Sequence, residues 1–267
     1  MGSLVGSFSW VSPTKVVPAG GSGGARQRLV CAWRDWLSPM LRAGDVVAPS
    51  RSFHEQTTSQ NTLNMEVLLG ITGKDFTLIA ASKAAMRGAT VLKASDDKTR
   101  PLNKHTMIAF SGEPGDTIQF AEYIMANAKL YSMRNETDLS PSALAHYVRG
   151  ELASSLRSRK PYTVNLLLGG VDPITHKPSL YWLDYLAALA PVPYAAHGYA
   201  QYYCLSILDK HHHPDITLHQ GIKILTMCTD ELKRRLPIDF KGMVVKAVTK
   251  DGIRDIEFDD DKIVKSA

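Results

Sequence analysis

The chain has 267 residues and a net charge of +5, and its composition is 44% hydrophobic and 21% charged, as in ordinary globular proteins. The basic excess is small and no long block of Lys and Arg occurs, which argues against nucleic-acid binding. No apolar run approaches the roughly 20 residues that a bilayer span needs. The length suits one sizeable domain with an appendage.

The three cysteines, Cys31, Cys204 and Cys228, lie far apart and form no CxxC pair. This pattern predicts free, buried thiols in a reducing compartment. The three consecutive histidines at 211–213 would point in different directions on a helix, so they predict a solvated helix end. The acidic run at 259–261 lacks the glycine and the glutamate of a calcium loop. We expect no metal and no cofactor.

The first 64 residues differ from the rest of the chain. A glycine-rich run at 20–25 is typical of linkers, and scattered prolines and tryptophans show no sustained period. We expect disorder here, with a short helical piece near 28–42. We interpret residues 1–64 as a disordered extension or a leader upstream of a true start at Met65. A transit peptide and a cleavable propeptide are the alternatives.

The body, residues 65–267, alternates between strand and helix patterns. The short apolar runs 67–71 and 76–81, separated by the turn at 72–75, predict a β-hairpin. Further strands are predicted at 90–92, 106–110, 164–168, 180–183, 243–249 and 253–256.

The break at 112–116 introduces a first helix. Its predicted apolar stripe consists of Ile118, Ala121, Ile124, Met125, Ala128 and Tyr131. Ser140 and Pro141 predict the start of a second helix, as N-cap and first-turn proline. Its predicted buried edge consists of Leu144, Val148, Leu152 and Leu156.

A third helix is predicted over 199–210 and a fourth over 218–235. Thr217 has the position of an N-cap, with Gln220 closing a capping box. The order is therefore strands, two helices, strands, two helices, strands. It favours an α+β fold, a four-layer αββα sandwich of two antiparallel sheets flanked by helices.

Several uncommon stretches of the body, in this order, closely resemble one family. They include SDDKTR at 95–100, FSGEPGD at 110–116, FAEYI at 120–124, LRSRKPY at 156–162, AHGY at 196–199 and DFKG at 239–242. The family is the proteasome β subunits, of the N-terminal-nucleophile (Ntn) hydrolase superfamily, and the class resembled is type 2, at the fourth β position of eukaryotic 20S core particles. The resemblance covers 65–267 and none of 1–64, and it implies the Ntn-hydrolase fold.

The resemblance also implies which residues to test for catalysis. Active members attack with an N-terminal threonine hydroxyl and use a lysine, an aspartate that orients it, and a glycine N–H as oxyanion donor. Here the nucleophile position falls at Met65 or Glu66, and neither has a hydroxyl. Ser82 stands in place of the aspartate. Lys98 and Gly112 match the lysine and the glycine.

Two later elements of the active pattern have also changed. A serine is replaced by His197, for which we expect a structural role, and an Asp-x-x-Ser-Gly element is replaced by a segment that contains Asp239. We therefore interpret these seven positions as a degenerate site without a catalytic residue. Lys98 is expected to pair with Asp96, Asp97 or a neighbouring subunit.

The resemblance thus implies a non-catalytic, structural β subunit of the 20S core particle, an inactive member of a threonine endopeptidase complex. It would support assembly and the chamber wall for ubiquitin- and proteasome-dependent protein degradation in cytoplasm and nucleus. Implied partners are other β subunits of the same ring, α subunits and β subunits of the opposite ring. Tyrosines of the third helix, Tyr199, Tyr202 and Tyr203, and the basic corner 157–160 are candidate contacts.

Two alternatives remain. A threonine-type Ntn hydrolase would require processing of the extension at Thr57, Thr58 or Thr62. However, Thr57 and Thr58 lie too far before Ser82 for the family spacing, and Gln56 precedes them where family processing cuts after glycine. A standalone binding module of the same fold would exist as a monomer or simple homo-oligomer.

Overall fold

The computed structural model describes residues 66–87, 90–237 and 242–258. The predictions for 1–64, including the helical piece near 28–42 and Cys31, lie outside these ranges. Met65, Asp239 and the acidic run 259–261 do so as well. The described residues contain two five-stranded antiparallel sheets, a two-stranded ribbon and four helices.

The first sheet has the strand order β10-β1-β2-β11-β12. Its strands are β1 (Val67–Thr72), β2 (Phe76–Ser82), β10 (Tyr194–Gly198), β11 (Met243–Thr249) and β12 (Gly252–Ile256). Strands β1 and β2 form the predicted hairpin, with Leu68 opposite Ala81. The predicted hairpin of β11 and β12 is also present.

The second sheet has strands in sequence order. They are β5 (Thr99–Asn103), β6 (Thr106–Gly112), β7 (Val164–Val171), β8 (Pro178–Leu183) and β9 (Leu189–Pro191). A separate ribbon pairs β3 (Ala85–Arg87) with β4 (Thr90–Lys93). The sequence did not predict β3, β5, β9 or β10. These strands are short, and β5 and β9 contain proline, which weakens the strand signal.

The four helices are α1 (Pro114–Asn135), α2 (Pro141–Leu156), α3 (Ala200–His211) and α4 (Leu218–Arg235). Helices α1 and α2 pack on the second sheet, and α3 and α4 pack on the first. A third apolar cluster lies between the sheets. These layers confirm the predicted α+β, four-layer αββα sandwich. Among the described residues, no helix combines the length and apolar character that crossing a membrane requires.

Strand β1 shows why the sandwich needs almost continuous apolar runs. Val67, Leu69 and Ile71 belong to the cluster under α3 and α4, whereas Leu68 belongs to the cluster between the sheets. All four side chains are fully buried, and burying such a side chain contributes about 1.5–3 kcal/mol. Because both faces of β1 are covered, neither face can be polar.

The predicted helix stripes are partly wrong. In α1 the buried apolar residues are Phe120, Ala121, Ile124 and Ala128, whereas Ile118 and Tyr131 are exposed. In α2 the predicted Leu144, Val148 and Leu152 are buried. Leu156, the last residue of the helix, is exposed. Periodicity thus located both helices, but it did not find Phe120.

The predicted helix caps are confirmed. Ser140 Oγ accepts a hydrogen bond from the backbone N–H of Ala143 at 3.2 Å. Thr217 Oγ1 accepts from the backbone N–H of Gln220 at 3.4 Å, and Gln220 Oε1 accepts from the backbone N–H of Thr217 at 2.8 Å. The reciprocal pair satisfies two N–H groups that have no partner within the helix.

Replacing Thr217 with Ala should lower the free energy of unfolding by about 1 kcal/mol, because the N-cap acceptor is lost. Thr217→Ser keeps the hydroxyl and is the matched control, with a change of a few tenths of a kcal/mol. Urea denaturation of the full chain measures both. Equal stability of the Ala and Ser variants would show that the capping box contributes nothing.

Candidate functional site

Four of the predicted site residues come together at one end of the sandwich. Glu66 lies directly before β1, and Ser82 ends β2, the antiparallel neighbour of β1. Lys98 directly precedes β5, and Gly112 ends β6, which pairs with β5. The site is therefore built where strand ends of the two sheets face each other.

The Lys98 ammonium group is buried and held mainly by backbone oxygens. Its Nζ donates to the carbonyl oxygens of Ser82 at 3.0 Å and Ala84 at 2.7 Å. Two carboxylates lie slightly farther away, Asp96 Oδ2 at 3.7 Å and Glu66 Oε1 at 3.9 Å. A buried ammonium group requires such compensation, because leaving water is unfavourable for a charge. The predicted contact with Asp96 is present.

The alternative partner, Asp97, is engaged elsewhere. It accepts hydrogen bonds from Lys246 Nζ at 2.9 Å and from Thr99 Oγ1 at 2.6 Å. Burial by itself would raise the pKa of Asp97. The hydrogen bonds from Thr99 and Lys246 outweigh that effect and lower it. Pairing of Lys98 with Asp97 was therefore a wrong alternative, because the Asp97 carboxylate pairs with Lys246 of β11.

Gly112 presents its backbone N–H to the side chain of Glu66, whose Oε2 accepts it at 3.2 Å. The backbone at Gly112 has φ +141°, which side-chain-bearing residues rarely adopt, and a Cβ there would lie 2.1 Å from Thr163 O. Glycine is thus required at this position. Burial raises the pKa of Glu66, and the Lys98 ammonium and the Gly112 N–H offset this only in part.

These contacts place a carboxyl group of the chain itself against the Gly112 N–H and near the Lys98 ammonium. One hydroxyl also belongs to the cluster, that of Ser82, and its Oγ accepts the backbone N–H of Val67 at 3.3 Å. Lys98 contacts the Ser82 carbonyl rather than this hydroxyl. The described cluster therefore does not align a hydroxyl with a base, as nucleophilic catalysis requires.

His197 is placed apart from these contacts. Its Nε2 lies 3.0 Å from Leu166 O, and its ring stacks on Trp182 with centroids 5.0 Å apart. Burial lowers the pKa of His197, so the neutral imidazole is favoured. These surroundings are consistent with the structural role that we expected. The other two predicted positions, Met65 and Asp239, lie outside the described residues.

Two other predictions concern cysteine and histidine. Cys204 and Cys228 are free and buried, as predicted. A hydrogen bond with Cys204 raises the pKa of Cys228, and burial adds to this. In the histidine run, His211 and His213 are exposed, as predicted, whereas His212 is half-buried and its Nε2 lies 2.9 Å from Thr72 O. In the described ranges, no group of three or more His, Cys, Asp and Glu is arranged to hold a metal ion.

Sequence reasoning missed the contacts of Glu66. From the sequence, we noted only that Glu66 has no hydroxyl. A carboxylate directly before a strand that is buried on both faces is itself removed from water, so it needs hydrogen-bond or charge partners. The available signal was the combination of an acidic residue at that place with a lysine and a glycine that were both retained.

The comparisons with known proteins agree with this fold. The family model described as "Proteasome subunit" matches residues 66–248. The chain belongs to the proteasome subunit family. A probable proteasome subunit beta type-4 of Neurospora crassa is 88% identical over 203 residues, which are 76% of this chain and 100% of the relative. Proteasome subunit beta type-4 of Saccharomyces cerevisiae is 53% identical over 193 residues, 72% of this chain and 98% of the relative.

The expected type-2 class of this proteasome subunit is wrong. Proteasome subunit beta type-2 of rice is 39% identical over 191 residues, 72% of this chain and 89% of the relative, well below the type-4 proteins. Both types align over almost the same length, so motifs common to them identify the family without separating its classes. The chain is thus a β subunit of the 20S core, and this family implies a multi-subunit particle.

Gly112→Ala should lower the free energy of unfolding by about 3 kcal/mol or more, because the added Cβ would meet a backbone oxygen at an unfavourable φ. Gly115→Ala is the matched control. A Cβ at Gly115, in the first turn of α1, meets nothing within 4 Å, so its stability should stay unchanged or rise by up to about 1 kcal/mol. Urea denaturation measures both, and similar losses would contradict the steric explanation.

Glu66 should give the subunit a distinctive pH dependence. Its folded-state pKa is raised above the ordinary 4.5, so its contribution to stability is complete below that value and is lost as the pH rises through the folded pKa. Urea titrations from about pH 4 to 7 should show the stability of Glu66→Gln rising relative to the unchanged chain.

The control for this experiment is Asp97→Asn, whose stability relative to the unchanged chain should stay nearly constant from about pH 4 to 7 and rise only in titrations extended below about pH 4, the opposite sign to Glu66→Gln. The pKa of Asp97 is lowered from 3.8, so its contribution is present above that value and is lost as the pH falls through the folded pKa. A pH profile of Glu66→Gln parallel to that of the unchanged chain would contradict the assignment of a raised pKa to Glu66.

Proposed function

We propose that this chain is a non-catalytic β subunit, whose role is structural within the 20S core particle. The observation that carries the proposal is the contact between Glu66 Oε2 and the backbone N–H of Gly112. In active relatives, as the resemblance implies, that N–H serves the oxyanion of the reacting substrate. Here a carboxylate of the chain itself accepts it.

The environment of Lys98 supports the same proposal. In a threonine hydrolase the lysine acts beside the nucleophilic hydroxyl and influences its proton. Here Nζ donates to two backbone carbonyls, and the carboxylates of Asp96 and Glu66 lie nearby. The retained lysine therefore compensates a buried polar cluster, and its contacts give it no alignment with a hydroxyl.

A structural subunit must act through its surfaces. Large apolar side chains remain exposed on the isolated chain, among them Ile118 and Met133 of α1, Leu186, and Tyr202 of α3. Such groups are typical of surfaces that obligate interfaces cover. We propose that these surfaces meet β neighbours in the same ring, α subunits and the opposite β ring. The proposed location is cytoplasm and nucleus, and the proposed mature chain begins near Met65.

The test uses native core particles purified through a C-terminal tag on this chain. The particles are treated with an electrophile that forms an adduct with N-terminal threonine, and each subunit is then weighed by intact mass spectrometry. We expect adducts on other β subunits, which serve as the internal control, and none on this chain. Its mass should correspond to a start near Met65. An adduct on a chain that begins at Thr57, Thr58 or Thr62 would overturn the proposal.

A further inference from the structure

The segment that follows α2 carries three cations close together. Arg157, Arg159 and Lys160 are the cations of the basic corner 157–160, and all three are exposed. Within the described ranges, no carboxylate forms an ion pair with any of them. The negative end of the α2 dipole favours a cation near the last turn of the helix, but this effect fades within one turn. The corner therefore keeps a concentrated positive charge.

The backbone of the basic corner is fixed by contacts on both sides. Ser158 donates its backbone N–H to Ser155 O at 2.9 Å, and Tyr162 donates its backbone N–H to Ser155 Oγ at 2.8 Å. The ring of Tyr162 lies against that of Phe120 in α1, with centroids 5.3 Å apart. The three cations consequently project from a held segment, and a partner that binds them does not have to order the backbone first.

Large apolar side chains are exposed at the same end of the second sheet. Leu156 directly precedes the corner, and Tyr185 and Leu186 lie in the turn between β8 and β9. Tyr185 donates its backbone N–H to Asn165 Oδ1 at 3.3 Å, at the start of β7, into which the corner leads. A charged face that only water covers does not need such side chains, whereas arginine beside aromatic and apolar groups is typical of interfaces.

The acidic residues of the adjoining elements do not neutralise the corner. Asp184 accepts two backbone N–H groups of its own turn, and Asp116 accepts a backbone N–H from the segment after the corner. Glu113 and Glu151 form no ion pair with any other described residue. The compensating carboxylates must therefore come from another molecule.

We propose that the basic corner binds an acidic segment of a neighbouring subunit in the 20S core particle, and that apolar side chains of this segment pack on Leu156, Tyr185 and Leu186. The inference rests on the proposed function and deepens it, because it names the chemistry of one partner surface. Each guanidinium group can bind a carboxylate through two parallel hydrogen bonds. A nucleic-acid backbone fits less well, because it would leave the apolar side chains in water. The attraction also steers the subunit toward its position during assembly.

The first test joins the corner to its partner in native core particles that are purified through a C-terminal tag. A carbodiimide couples lysine amines to carboxylates in contact with them, and mass spectrometry identifies the joined peptides. We expect Lys160 to be joined to an Asp or Glu of another subunit. Arg157→Lys and Arg159→Lys place an amine at the two other positions and should give links to the same acidic segment.

The pair Lys93 and Asp96, with Nζ 3.4 Å from Oδ1, is the positive control for the coupling reagent. Particles in which this pair is joined, but in which none of the three corner positions is joined to another subunit, would overturn the proposal. Links from the corner to carboxylates of this chain alone would overturn it as well.

The second test measures assembly by competition with the unchanged chain in the same cells. The fraction of the variant in purified particles is compared with its fraction in the whole extract. Arg157→Glu with Arg159→Glu should lower this ratio at least about fivefold, because carboxylates then face carboxylates. The matched control, Lys177→Glu with Lys250→Glu, reverses two exposed cations at the opposite end of the sandwich and should change it less than about twofold. Equal depletion of both would overturn the proposal.

Folding and catalysis have separate readouts. The reversed side chains are exposed, so the Tm of the isolated variant should stay within about 2 °C of the unchanged chain. If the variant does not fold, the cross-linking result decides, because it uses Lys160 and conservative substitutions. A threonine-directed adduct on this chain would reject the non-catalytic role, whereas a missing cross-link without an adduct rejects only the acidic partner of the corner.

Discussion

The apolar layer between the two sheets is the constraint on which the rest of the structure depends. Strands such as β1 contribute residues such as Leu68 to this layer, while alternate residues pack under the helices. Because β1 and β2 are buried on both faces, the charged groups next to them lie at strand ends. Glu66, Ser82, Lys98 and Gly112 occupy such ends or adjoin them. The same sheet packing thus gathers into one polar cluster residues that are distant in the sequence.

The polar cluster contributes more to a defined arrangement than to net stability. Two opposite charges that are removed from water recover in attraction only part of what they lose in hydration. Glu66 shows this balance, because its pKa stays raised despite the nearby ammonium group of Lys98. What the contacts provide is geometry, since each donor and acceptor has a named partner. A mismatch between the two sheets at this end would leave a buried charge uncompensated.

The sequence predicted what local patterns encode, but not what distant contacts decide. The first hairpin and the capping box at Thr217 depend on neighbouring residues, and the structure confirms both. The Glu66–Gly112 contact joins positions 46 residues apart, and the Asp97–Lys246 contact joins positions 149 apart. Neither follows from spacing. The family was recognisable for a different reason, because its distinctive stretches, such as 95–100, are local strings of residues.

The Glu66 carboxylate, which accepts the Gly112 N–H and lies near the Lys98 ammonium, has a consequence for evolution. A mutation of Glu66 to threonine would remove the carboxylate from the Gly112 N–H and from the neighbourhood of Lys98 at once. Ser82 would still stand where a lysine-orienting aspartate is needed. With the proposed non-catalytic role, a first substitution at position 66 would therefore lower stability without supplying chemistry, and the order of further substitutions would matter. The contacts of Glu66 with Gly112 and Lys98 thus make the residue at this position difficult to replace by a single substitution.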